Sequence, residues 1–113
     1  LVKKRKTPSI LDSKARPRVR ATVQIDNEVS DAYTVLDIHT QNRIGLLYDI
    51  TSTLSNLGLY IYIAKISTKG DEAADIFYVK DIFGQKIFYK EKLAEAADAI
   101  YNILAGPGPK KEK

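Results

Sequence analysis

Cysteine is absent from the 113 residues. With it go disulfides, thiol nucleophiles and thiolate metal sites. One histidine, His39, is present, which excludes most chemistry built on several imidazoles. Nor is there an apolar run of ~18 residues, the minimum for a membrane-crossing helix. The basic opening Leu1 to Lys6 leads into polar sequence instead of an apolar core, so this stretch does not have the pattern of a signal peptide. No contact with a membrane and a cytoplasmic location are therefore expected. The chain opens on leucine, not methionine, as expected of a piece excised from a longer protein.

The length of 113 residues suits a single domain with one core. The net charge of +4 is unevenly placed: residues 1–20 hold eight Lys or Arg and one Asp, which leaves the remainder at −3. Basicity thus belongs to a Pro-containing, apolar-poor segment and not to the folded part. It reads as a solvated linker over residues 1–18, and no nucleic-acid partner is expected. Residues 19–104 are expected to form the domain and 105–113 a frayed tail.

Periodicity divides the domain into six elements. Arg18 to Val29 alternates Val19, Ala21, Val23 and Ile25 against polar neighbours, the pattern of a strand with one wet face. Tyr33 to His39 alternates again, with Thr34, Leu36 and Ile38 on one side, and is close enough to pair with the first as a hairpin. From Leu46 the residues Leu47, Ile50, Leu54 and Leu57 form one stripe of a helix, and Gly58 supplies its end. Leu59 to Thr68 is a strand in which Ile61, Ala64 and Ile66 cannot share a face in a regular pleat, so a bulge is predicted there. Gly70 turns the chain into a strand at Ala73 to Lys80. Lys90 to Leu104 carries the helical stripe Leu93, Ala96, Ala97, Ile100 and Leu104.

Two amphipathic helices need a sheet to cover. The order strand, strand, helix, strand, strand, helix predicts an α+β, ferredoxin-like fold: a four-stranded antiparallel sheet with both helices on one face. The usual last strand is missing, and Val19 to Ile25 is predicted to occupy its place from the N-terminal side.

The candidate binding residues lie at the start of the first helix. Asn42 or Arg43 stands where a cap is needed. Gly45 leaves the first turn without a β-carbon, so that a small carboxylate could reach the free N–H groups and the positive end of the helix dipole. An alternative is that Gly45 is only a packing glycine where the helix crosses a strand.

The stretch from Asp37 to Ile87, with DNEVSDAYTVLDI before it, resembles an ACT domain, the small effector-binding module of amino-acid metabolism. Asn42, Arg43, Ile44, Gly45, Leu46 and Leu47 stand where that family has an acidic or amide residue, Arg-Pro-Gly and an apolar helix, with Ile44 replacing the proline. The combination with KISTKGDEAADIFYVKDIFGQKI is similar to the C-terminal ACT domain of the bifunctional uridylyltransferase/uridylyl-removing enzymes that modify the PII nitrogen-regulatory protein. The resemblance implies a sensing domain with glutamine as effector, no catalytic residues and no cofactor in this piece, and a homodimer or pairing with a second ACT domain. It also implies a ligand lying between Asn42 to Leu47 of one subunit and Ile61, Tyr62, Ile63 and Ala64 of its neighbour. Asn42 would then read the amino or amide group, unless it only caps its helix.

Other readings compete. The domain could serve only for dimerisation, or belong to another amino-acid-regulated enzyme. Tyr60, Tyr62, Phe77 and Tyr78 could form a base-stacking sheet face for RNA, although a basic, glycine-rich pattern is lacking. Asp71, Glu72 and Asp75 could gather a cation, but a charged turn accounts for them, and no metal is expected. His39 could orient the loop or simply end a strand.

Overall fold

A computed structural model of the chain describes residues 19–105. The linker expected at 1–18 and the tail from 106 lie outside the described residues. The elements are β1 (Thr22–Asp26), β2 (Thr34–Gln41), α1 (Leu46–Asn56), β3 (Tyr60–Lys69), β4 (Glu72–Lys80) and α2 (Lys90–Ala105). The last helix thus takes in Ala105, which the sequence had given to the tail.

The sheet runs β1-β2-β4-β3, with every neighbouring pair antiparallel. β1 flanks β2 as expected, so a hairpin supplies the strand that usually comes last. Alternation decides the faces. Val23 and Ile25 of β1, Leu36 and Ile38 of β2 and Phe77 and Val79 of β4 turn toward the helices, which add Leu46, Ile50, Leu54, Ala96 and Ile100. Each large side chain buried there contributes about 1.5–3 kcal/mol relative to exposure.

The helical stripe differs from expectation at its first residue. Leu46 is buried, whereas Leu47 is 42% exposed, because Leu46 precedes Ile50 and Leu54 by four and eight positions. At the other end Leu59 N–H bonds Leu54 C=O and Gly58 N–H bonds Ser55 C=O, with Gly58 at φ 78°. These are the paired bonds of a Schellman cap, and Leu54 and Leu59 both join the core beside it.

The bulge in β3 lies between Ile61 and Ile63, where Tyr62 is the extra residue. Ile61 pairs with Val79, Ala64 with Phe77 and Ile66 with Asp75, so the three residues do share the helix side. A second tie is polar. The Thr34 hydroxyl donates to Asn27 Oδ1 at 2.6 Å and accepts from Ile87 N–H at 3.0 Å, while Asn27 Nδ2 donates to Ile87 C=O at 2.7 Å. This closes the β1–β2 turn onto the segment before α2.

Candidate functional site

β2 delivers the chain at Gln41 into a short loop that starts α1. Asn42 N–H donates to Asp71 C=O at 2.7 Å, which fastens the loop to the tip of the β3–β4 turn. Arg43 then bridges two helices: its Nη2 lies 2.8 Å from Asp49 Oδ2 in the first turn of α1 and 3.4 Å from Ile103 C=O in the last turn of α2. Ile44 is 99% exposed.

Gly45 occupies the N-cap position with φ 83° and ψ 1°, and no side chain caps the turn. The expectation that Asn42 or Arg43 caps the helix is therefore corrected. The buried stripe begins at Leu46, which puts the cap at the residue just before it, and Asn42 is spent on the hairpin tip through its backbone. The packing-glycine alternative fails on space, since a β-carbon at Gly45 would meet only Arg43 Nη1, at 3.9 Å. What requires glycine is the left-handed backbone. Leu46 N–H reaches Arg43 C=O at 3.2 Å and Asp49 N–H reaches Gly45 C=O at 3.0 Å. Between them the N–H groups of Leu47 and Tyr48 open the helix without a side-chain acceptor. Leu46 itself offers only backbone, because its side chain is in the core.

Ile61, Tyr62, Ile63 and Ala64 lie on β3, an edge strand of this sheet. Tyr62 belongs to a cluster on the helix-free face. Its ring centroid is 5.7 Å from that of Tyr33, which is 5.8 Å from that of Tyr78. Lys80 Nζ lies 4.8 Å from the Tyr33 centroid and 5.0 Å from that of Tyr62, and Lys65 Nζ lies 5.3 Å from that of Tyr78. The sequence reading missed Tyr33, whose place beside β2 on the same face was the available signal. It also grouped Phe77 with the exposed aromatics, but Phe77 is on the opposite face and buried, so the four-residue stacking platform does not exist.

His39 turns to the helix-free face, with Nε2 3.3 Å from Asp37 Oδ1, and does not orient the loop. Asp75 is 1% exposed on the helix side and accepts one bond, from Ser67 N–H at 3.3 Å. Burial raises its pKa above the usual carboxylate range, opposed by that bond and by His39. Asp71, Glu72 and Asp75 do not converge, because Asp75 and Glu72 sit on opposite faces of β4. Among the described residues no cluster of three or more His, Asp or Glu has metal-binding geometry.

On the other side of the same loop, a cavity of about 500 Å³ opens below the end of α2. Val19, Arg20, Thr40, Asn42, Arg43 and Tyr101 are among its walls. No described helix is long and apolar enough to cross a membrane.

An open-edged antiparallel sheet with two helices on one side defines a ferredoxin-like α+β domain. Comparison with known families gives the particular one. Residues 22–105 match the family described as ACR9-like, ACT-like domain, and the chain belongs to the ACT-like domains. It is 48% identical over 85 residues to a bifunctional uridylyltransferase/uridylyl-removing enzyme of Azospirillum brasilense, a match covering 75% of this chain and 9% of that protein. The enzyme of the same name from Rhodospirillum rubrum is 34% identical over 108 residues, 96% of this chain and 12% of the relative. That of Bradyrhizobium diazoefficiens is 40% identical over 95 residues, 83% and 10% respectively. The chain thus spans about a tenth of the length of these relatives, and the nine-tenths of each that remain have no counterpart in it. No solved structure matches.

Proposed function

We propose that this chain is the amino-acid-sensing regulatory domain of a bifunctional uridylyltransferase/uridylyl-removing enzyme, with glutamine as effector. The parent acts in the cytoplasm on the PII protein, and its catalytic groups lie elsewhere in the polypeptide. The observation that carries the reading is Gly45: a left-handed cap with open space around it and no side chain on the first-turn N–H groups. A carboxylate docked there would gain charge-assisted hydrogen bonds and the favourable end of the dipole. The edge strand β3 of a neighbouring subunit, or of a second ACT domain, would close the site with Ile61, Tyr62, Ile63 and Ala64. Binding regulates a distant catalytic site only by favouring one arrangement of domains over another.

Calorimetric titration of the chain with L-glutamine, paired with light scattering, tests this. Heat together with dimer mass supports sensing. Dimer mass without heat leaves a dimerisation module. Glutamine affinity unchanged in both Asn42→Ala and Gly45→Val overturns the site.

A further inference from the structure

The helix-free face of the sheet is apolar along its middle and charged along its sides. Val35 of β2 and Ile76 and Tyr78 of β4 point there from the two central strands, and Val35 is buried although no helix covers that side. Tyr33, Tyr62 and Ile63 extend the strip, the last two being exposed. An antiparallel sheet whose outer face meets only water carries polar side chains there. A contiguous apolar strip at its centre instead marks a contact surface.

The charges on this face are sorted by side. β1 and β2 contain no Lys or Arg and present Asp26 and Asp37. β3 and β4 present Lys65 and Lys80, which lie over tyrosine rings and have no carboxylate partner among the described residues. The signs mix only at one rim, where Arg20 precedes β1 and Glu72 opens β4. Shape follows the same division. Ile63 stands out on the basic side, whereas on the acidic side a hollow of about 510 Å³ lies between Asp26, Val29, Val35 and Tyr78.

A two-fold axis parallel to the strands, passing between β2 and β4, turns a second sheet face down and exchanges its sides. β1 of one copy then lies over β3 of the other, with the strands still aligned as in sheets stacked ~10 Å apart. That single operation sets Lys65 over the Asp26 and Asp37 side of the second copy, Ile63 over its hollow, and one apolar strip on the other. An axis across the strands would set like charge on like. Four strands at ~4.8 Å spacing and about 26 Å of β2 give each copy a face of roughly 500 Å². Two such faces reach the ~1,000 Å² at which specific interfaces begin, so the contact is a weak one.

We propose that the helix-free face binds a second copy of this chain in an isologous sheet-to-sheet dimer. The contact goes beyond the sensing role proposed above and depends on neither glutamine nor Gly45. It also leaves the β3 edge free for the side-by-side pairing that the sensing role requires.

Sedimentation equilibrium of the chain tests this and should show a monomer and dimer in exchange with a micromolar dissociation constant. Lys65→Glu and Asp37→Lys should each weaken the dimer by about tenfold or more, because each sets like charges together twice across the two-fold. An equimolar mixture of the two variants should recover it, since in a mixed pair every reversed charge again meets its opposite. Unchanged circular dichroism controls for folding. A chain that stays monomeric up to about 1 mM overturns the proposal. So does a mixture that associates no better than its components. A dimer that neither reversal weakens also overturns it, and leaves edge-strand pairing at β3 as the contact.

Discussion

Replacing Gly45 by alanine separates backbone geometry from packing. Its φ of 83° lies in the left-handed region, and an added β-carbon would make one ordinary contact, with Arg43 Nη1 at 3.9 Å. No collision contributes, so the cost is conformational: about 1–2 kcal/mol for an L-residue held there. Alanine also restricts the unfolded chain, which offsets roughly 0.4–1 kcal/mol. The net expectation is a loss of about 1 kcal/mol, which for a domain this size lowers Tm by ~4–8 °C. Asparagine, which tolerates the left-handed region better, should lose about half as much. Urea unfolding followed by circular dichroism gives the numbers, and an unchanged m-value would show that stability alone has changed. A neutral or stabilising Gly45→Ala would refute the argument that the cap demands positive φ. A loss above about 4 kcal/mol would instead reveal a packed glycine, contrary to the open space around it.

Three further outcomes follow from the same structure. Thr34→Val removes the hydroxyl that joins Asn27 to Ile87 and leaves two polar groups unpaired, so denaturation should show a loss of about 1–3 kcal/mol despite conserved shape. Phe77→Ala, at a fully buried position in the centre of the sheet, should cost about 3–5 kcal/mol by the same assay. Asp75 binds its proton more tightly folded than unfolded, so stability falls as pH rises from the ordinary carboxylate pKa through the raised one. Asp75→Asn should flatten that slope and exceed the parent in stability at neutral pH, as denaturant midpoints at a series of pH values would show.

The architecture was legible because each strand alternates and each helix carries a stripe, and because the conflict among Ile61, Ala64 and Ile66 has only a bulge as its solution. The place of β1 was legible too, from the missing last strand. Errors arose where the deciding neighbour is remote in sequence. The cap was placed near Asn42 because nothing local shows that Leu46, rather than Leu47, meets the sheet. The Asn27–Thr34–Ile87 tie spans 53 to 60 residues, and no short-range pattern records it. Tyr33 and Phe77 were misjudged for a related reason: exposure of an aromatic depends on which face the helices cover, not on its own strand alone. The cavity around Thr40 depends on three chain segments, 19–21, 40–43 and 101–105, meeting in space.

Hydrogen exchange of the chain with and without saturating L-glutamine tests the central claim most directly, because the open first-turn N–H groups of α1 are themselves the reporters. The account predicts selective slowing at Leu47 and Tyr48, with the core amides of β2 and β4 unchanged. Exchange at those two amides unaltered by bound glutamine would contradict it.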